Sequence, residues 1–278
     1  MTANSIRFNI LITILGFLSL FIQFSYGQSP QLSEQDKQWI AEKIFANECN
    51  NEIHCLTSWN QGEEFPSLGI GHFIWYPQGQ NGIYTESFPE LLRFYQKLDV
   101  KLPAWLVENT QFGSPWSSRE QFYADIEQTQ LKELRDFLQE TMSTQAAFIL
   151  QRQQSALPKL VANSPPSQRT QIEQLFHAIA ETNLPYGSYA LIDYVNFKGE
   201  GVSSTERYHN QGWGLLQVLQ EMLDDNATKP LLNRFTTAAN TVLERRVHNA
   251  PAERNETRWL AGWHVRVNSY LPPTQSGK

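Results

Sequence analysis

From Leu32 onward, apolar residues recur at helical spacing. Trp39, Ile40, Ile44 and Phe45 form one stripe, and Ser33 with Asp36 reads as a capping arrangement. The pattern predicts a helix that ends near Glu48 and Cys49, where Asn50 and Asn51 favour a turn. Between 56 and 76 the period changes. Leu56, Trp59, Phe65, Leu68, Ile70, Phe73 and Trp75 alternate with glycine, proline and polar residues, which predicts a short β-hairpin. Residues 77–117 are rich in proline, glycine and aromatics, with Phe88, Leu91, Leu92, Phe94 and Tyr95 marking a short helix. Ser118 to about Val161 reads as two helices with a break near Thr141 to Thr144, and Asn163-Ser-Pro-Pro-Ser is a loop. Helices are then expected over Gln168–Glu181, Tyr189–Phe197, Gly212–Leu223, Pro230–His248 and Glu256–Tyr270. The expected class is mainly α (α+β): a small β-hairpin lobe near the N-terminus and a helical C-terminal lobe.

The first 27 residues follow a different logic. Arg7 precedes the apolar run Ile10 to Ile22, and Ser25 and Gly27 fit a signal-peptidase site, so the mature chain is expected to begin at Gln28. The run is shorter than the roughly 20 residues of a membrane span, and no later segment reads as one. Export to the periplasm or the medium is therefore expected, with a mature domain over 28–278 and no stable span after cleavage.

That compartment changes the reading of the two cysteines. Cys49 and Cys55 are an even pair in an exported chain, which points to one disulfide closing a short loop just after Glu48. A Cys-x5-Cys zinc half-site lacks a second pair to complete it, and the six histidines show no metal-binding spacing, so no metal and no cofactor are expected. Net charge is −6, or −7 without Arg7, and no basic stripe is visible; this argues against nucleic-acid binding. Asn226 and Asn255 stand in glycosylation sequons. A monomer is expected.

Glu48 closes the first helix, and the hairpin carries Ser67-Leu-Gly-Ile-Gly-His72. Further on come Ala190-Leu-Ile-Asp-Tyr-Val-Asn-Phe-Lys-Gly-Glu-Gly-Val202, then Arg245-Arg-Val-His-Asn-Ala-Pro and Arg258-Trp-Leu-Ala-Gly-Trp263. In this order the blocks resemble the phage-type lysozymes. There a catalytic Glu closes the first helix, a Thr-x-Gly-x-Gly-His strand follows, and a buried Ala-Leu-Ile-Asn helix ends in Gly-Glu-x-Gly-Val. The resemblance leaves an insertion at about 77–165 without a counterpart; it is expected to shape the cleft.

The resemblance implies a lysozyme-like glycoside hydrolase cleaving β-1,4 bonds of peptidoglycan, with Glu48 as general acid. The negative end of the helix macrodipole and neighbouring Phe and Trp rings favour the protonated form an acid needs. The bland alternative is a surface glutamate ending a helix. The family's hairpin Asp falls on Gln61, a departure from the pattern. Glu63, or less favoured Glu64, would have to supply the second carboxylate, each being otherwise a solvated hairpin charge. Ser67 stands at the family's Thr position, where a hydroxyl could hold the attacking water. Gly69 and Gly71 would let the strand bend beside the acid, and His72 would be structural.

Other readings remain open. Gly212-Trp-Gly-Leu-Leu-Gln217 also resembles a lytic transglycosylase run, in which Glu200, twelve residues before Gly212, would be the lone acid/base. Trp59, Trp75 and Tyr76, with Trp105 and Trp116, are candidates to stack on sugar rings or to fill the core. A wall-sugar-binding protein without chemistry would explain the missing Asp, and a chitosanase-like hydrolase would suit the acidic balance.

Overall fold

The structure is a computed structural model that describes residues 32–273 apart from 81, 83, 85, 110–112 and 224–227. The expected signal segment 1–27 and the Asn226 sequon lie outside the described residues. Helix α1 (Glu34–Cys49) opens on a capping box: Ser33 Oγ accepts from the Asp36 N–H at 3.1 Å, and the Asp36 carboxylate accepts from the Ser33 N–H at 3.0 Å. Ile40, Ala41, Ile44 and Phe45 bury its inner face. It stops where Asn50 and Asn51 take φ of 48° and 62°, a left-handed conformation that asparagine tolerates better than most residues.

A 3-10 turn, Ile53–Leu56, leads into β1 (Thr57–Ser58), which pairs antiparallel with β2 (Ser67–Leu68), itself paired with β3 (Phe73–Ile74). Thr57 faces Leu68 and Ser67 faces Ile74. The strands are shorter than the alternation suggests because Pro66, Gly69 and Gly71 bracket β2 and end its ladder. Gly69 has φ +67°, and a Cβ on it would lie 2.2 Å from Gln145 Oε1. That closeness is functional for the fold. Buried Gln145 accepts from the Ile70 N–H at 2.9 Å and donates to the Leu138 carbonyl at 2.6 Å, fastening the β2–β3 turn to the helices behind it.

Those helices come from the insertion: α2 (Phe88–Lys97), α3 (Ala104–Asn109), α4 (Arg119–Ala124), α5 (Thr129–Glu140), α6 (Met142–Gln154) and α7 (Ala156–Ala162). The stretch expected as two helices over 118–161 is four. Breaks fall at 125–128, Thr141 and Ser155, and only the middle one coincides with the expected break. An aromatic layer joins the insertion to the sheet. Trp75 lies against Phe88 with centroids 4.9 Å apart, and Trp59 and Trp116 stand edge-on to Phe122 at 5.9 and 5.3 Å. Such pairs contribute about 0.5–1.5 kcal/mol each beyond area burial.

The C-terminal half is α8 (Arg169–Glu181), α9 (Tyr186–Lys198), α10 (Leu215–Leu223), α11 (Leu231–Asn249) and α12 (Thr257–Asn268). Helix α9 is buried continuously from Gly187 to Tyr194 and packs on α6, α8 and α10. Its sequence is apolar nearly all round, as a central helix requires. Residues from Ile40 to Tyr270 contribute to one continuous apolar core. The molecule is thus mainly helical with one small antiparallel sheet, and among the described residues no helix is long and apolar enough to cross a membrane.

Replacing Gln145 by leucine strands the Ile70 N–H and the Leu138 carbonyl in the core. Urea unfolding of Gln145→Leu is expected to show a loss of about 2–4 kcal/mol. A loss under about 0.5 kcal/mol would mean that something else holds the turn.

Candidate functional site

Glu48 lies in the last turn of α1, its side chain 22% exposed, and its Oε1 accepts from Arg266 Nη2 of α12 at 2.5 Å. The same guanidinium grips Asp193 of α9 through Nε and Nη2, both at 2.8 Å. Asp193 is 0% exposed and also accepts from Tyr270 Oη at 2.7 Å and Asn47 Nδ2 at 3.0 Å. Every lone-pair direction of this buried carboxylate is therefore served, the condition under which a buried charge is tolerated. Burial pulls the Arg266 pKa down, but the hydrogen bonds and charge of Asp193, aided by Glu48, outweigh it and hold it above its ordinary value. Burial and then the Asp193 charge push the Tyr270 phenol well up, so it stays a neutral donor.

The Cys49–Cys55 disulfide is formed and sits directly after Glu48, with Cys55 Sγ 3.7 Å from the Glu48 carbonyl oxygen. His72, in the β2–β3 turn with φ 46°, brings Nε2 to 3.4 Å from Cys55 Sγ. The turn thus abuts the end of α1. Cys49, Cys55 and His72 have the compactness of a metal site, but disulfide sulfurs are not thiolates and do not ligate as such.

The expected second carboxylates are elsewhere. Glu63 accepts from Asn60 Nδ2 at 3.2 Å, and its carbonyl accepts from Trp59 Nε1 at 2.8 Å. With Glu64 it lines two open hollows, one with Arg119 and Glu120 and one with Tyr76 and Tyr84; neither Glu48 nor Arg266 lines either hollow. The reason is local: residues 59–66 loop beyond the two-residue ladder and are tied to α4, where Arg119 Nε donates to the Trp59 carbonyl at 2.8 Å. Ser67 is buried in β2, where its carbonyl accepts from Ser58 Oγ at 3.3 Å. Trp59 and Trp75 require correction as sugar platforms: both are buried, their rings enclosed by the aromatic layer. Tyr76 is buried against Phe65, with its hydroxyl accepting from the Tyr84 N–H at 3.3 Å.

Glu200 pairs with Lys159 at 2.9 Å, the two facing a cavity of about 150 Å³ shared with Gly71, Phe73 and Gln153. The glycine run after it has a structural purpose. Gln217 accepts from the Gly214 N–H at 3.0 Å and donates to the Gly201 carbonyl at 3.1 Å. Gly201 and Gly214 pack so closely that a Cβ on Gly214 would lie 2.2 Å from the Gly201 nitrogen. The Gly212–Gln217 pattern is therefore accounted for by a tight turn at the end of α9. It also explains why α10 begins at Leu215 rather than at the expected Gly212.

Sequence reasoning missed Arg266, and it valued Asp193 only as part of a motif. The available signal was an acid inside the otherwise apolar run Tyr189 to Tyr194, which demands a buried cation from elsewhere in the chain. A second cationic group adjoins the first. Arg266 lies 4.4 Å from the Phe197 ring centroid, and Lys198 Nζ lies 4.0 Å from the same ring and 3.4 Å from that of Trp263. Arg246 lies 4.2 Å from the Trp213 ring and holds buried Glu256 through two hydrogen bonds of 2.7 and 2.9 Å. Burial first, and then Arg246, bring the Lys198 pKa down from 10.5 to about 7.

Two consequences are measurable. Asp193→Ala leaves Arg266 with only a partly exposed partner and is expected to cost about 3–5 kcal/mol in chemical denaturation. Glu48→Gln retains an acceptor and should cost under about 1 kcal/mol. Between pH 7 and 10.5 the unfolded chain keeps a proton on Lys198 that the folded chain has released, so this group makes stability rise with pH across that window. Unfolding free energies at pH 7 and pH 9 should show that rise in the wild type and a smaller one in Lys198→Met; equal slopes would remove Lys198 as its source. Comparison with protein-family models, curated proteins and solved structures gives no match for this chain.

Proposed function

We propose that this protein is an exported glycoside hydrolase of lysozyme-like fold that cleaves β-1,4 bonds of peptidoglycan, with Glu48 as general acid. The observation that supports the reading is convergence. The three blocks carrying the family resemblance are far apart in sequence, yet the end of α1, helix α9 and the C-terminal helix α12 meet in the Glu48–Arg266–Asp193 triad. An acid at this point has what the reaction needs. Its exposed edge can reach a glycosidic oxygen, and the Arg266 N–H is placed to hold the carboxylate that proton transfer leaves. As the bond to the leaving sugar breaks, the proton passes from the Glu48 carboxyl to the departing oxygen. The resulting carboxylate is received by the Arg266 N–H already in place. Water then adds to the sugar carbon, its surplus proton passes to the Glu48 carboxylate and restores the acid, and hydrolysis is complete. The disulfide fits an oxidising compartment outside the cytoplasm.

One observation favours a second reading, a wall-sugar-binding protein without chemistry. Glu48 faces a guanidinium, and Glu63 and Glu64 line hollows that it does not share. The transglycosylase alternative draws less support, since Glu200 is paired with Lys159 and its glycine run is explained by the turn.

Purified peptidoglycan incubated with the chain from Gln28 onward, with products resolved by mass, separates these readings. Hydrolysis predicts reducing-end sugars, and a loss of at least about 100-fold in Glu48→Gln with folding intact. Anhydro products that survive Glu48→Gln and vanish in Glu200→Gln would transfer the role to Glu200. Binding without any product would leave a sugar-holding protein and defeat the enzyme reading.

A further inference from the structure

The protein carries a net charge of −6, yet the surroundings of Glu48 collect Arg266, Lys198 and Arg246. The two arginines are matched: Arg266 by Asp193 and Glu48, Arg246 by Glu256. Lys198 is different. Among the described residues no carboxylate pairs with its ammonium and no hydrogen bond reaches it; it rests on the ring faces of Trp263 and Phe197. Aromatic faces replace part of an ammonium's hydration but leave its charge uncompensated. A half-buried cation in this state attracts an anion more strongly than a surface lysine does, because less water screens the pair.

Position gives this charge its meaning. Phe197 contacts both Lys198 and Arg266, so the unmatched ammonium is one aromatic ring away from the guanidinium that holds Glu48. Half-buried Trp263 lies tilted beside Trp259, centroids 6.0 Å apart, and Trp259, 38% exposed, extends an apolar face outward from the same spot. A ring with a carboxylate substituent suits such a surface: the sugar face on exposed Trp259, the carboxylate on the ammonium.

We propose that Lys198 is the residue that recognises a carboxylate on the polymer bound beside Glu48, so that the site selects an acidic aminosugar chain over neutral or cationic ones. The inference rests on the glycan-binding reading above and specifies its substrate class: a wall glycan bearing free carboxylates, not chitin or chitosan. The carboxylate has two possible carriers in such a polymer, the acid ether of the sugar ring and the attached peptide. Arg246 from α11 and Arg266 from α12 act on Lys198 as cations, and Glu256, the anion that acts against them, is held by Arg246. An arriving carboxylate therefore favours the charged amine, and the selectivity should fade as pH rises past about 7.

The test measures binding of the chain from Gln28 onward by calorimetry, at pH 6 and pH 9. The ligands are wall glycan strands stripped of peptide, the same strands with their carboxylates reduced to alcohols, peptide-bearing strands, and neutral chitin oligomers. At pH 6 the stripped strands should bind at least about 10-fold tighter than the reduced ones, a preference that shrinks at pH 9. Lys198→Met should erase the preference while leaving affinity for chitin oligomers unchanged, and Lys198→Arg should restore it, which guards against a folding defect. Preference only for peptide-bearing strands, lost in Lys198→Met, would retain Lys198 and assign the carboxylate to the peptide. An unchanged preference in folded Lys198→Met overturns the role of Lys198 and leaves the proposed hydrolase standing. Failure of the wild type to bind any strand overturns both.

Discussion

The grip of Arg266 on Asp193 is the constraint around which the rest is arranged. A carboxylate with no exposure, placed on the central helix, is tolerable only with a full set of donors. Supplying them draws Asn47 from α1, and Arg266 and Tyr270 from the C-terminal end, to one point. Three segments distant in sequence are thereby fixed against each other. Replacing the pair with apolar residues of equal volume need not weaken the fold. What it would remove is the hold on the Glu48 carboxylate, which rests on Nη2, the guanidinium nitrogen it shares with Asp193. The ion pair is better understood as a locating device than as a source of stability.

Much of the fold was legible because its signals are local. Ser33 and Asp36 cap α1 as their spacing implies, and Asn50 and Asn51 end it. The helices after the Asn163–Ser167 loop fall close to their expected bounds because each has an apolar stripe between polar breaks. Local signals also explain the misses. No glycine or proline marks the break at 125–128, and at Ser155 the mark is displaced to Pro158 in the first turn of α7, so four short helices look like two in sequence. The hairpin alternation continues past its hydrogen-bonded ladder, so the strands are shorter than the pattern.

The site was less legible, for a physical reason. Glu48 and the glycine-rich turn lie near each other in the chain, and the disulfide between Cys49 and Cys55 closes a short loop, so these can be read in one pass. Arg266 is 73 residues from Asp193 and 218 from Glu48, separations at which no periodicity operates. Composition counted the tryptophans without revealing which ring faces are covered: Trp59 and Trp75 complete the core, Trp263 carries the Lys198 ammonium, and Trp259 is exposed. Net charge misled in the same manner, since an acidic total conceals a lysine near Glu48 that no carboxylate pairs among the described residues.

Gln145 has a mechanical consequence. By joining the Ile70 amide to the Leu138 carbonyl, it makes the β2–β3 turn and α6 a single stiff body, and the disulfide ties α1 to that body through the neighbouring His72. Glu48 therefore travels with one half of the molecule through its backbone and with the other half through its carboxylate. Across the cavity between the halves, Lys159 and Glu200 form an ion pair whose lysine is largely in water. Such a pair is weak and easily screened. The rim of this cavity is thus fastened more weakly, and more sensitively to salt, than the hairpin that forms its wall.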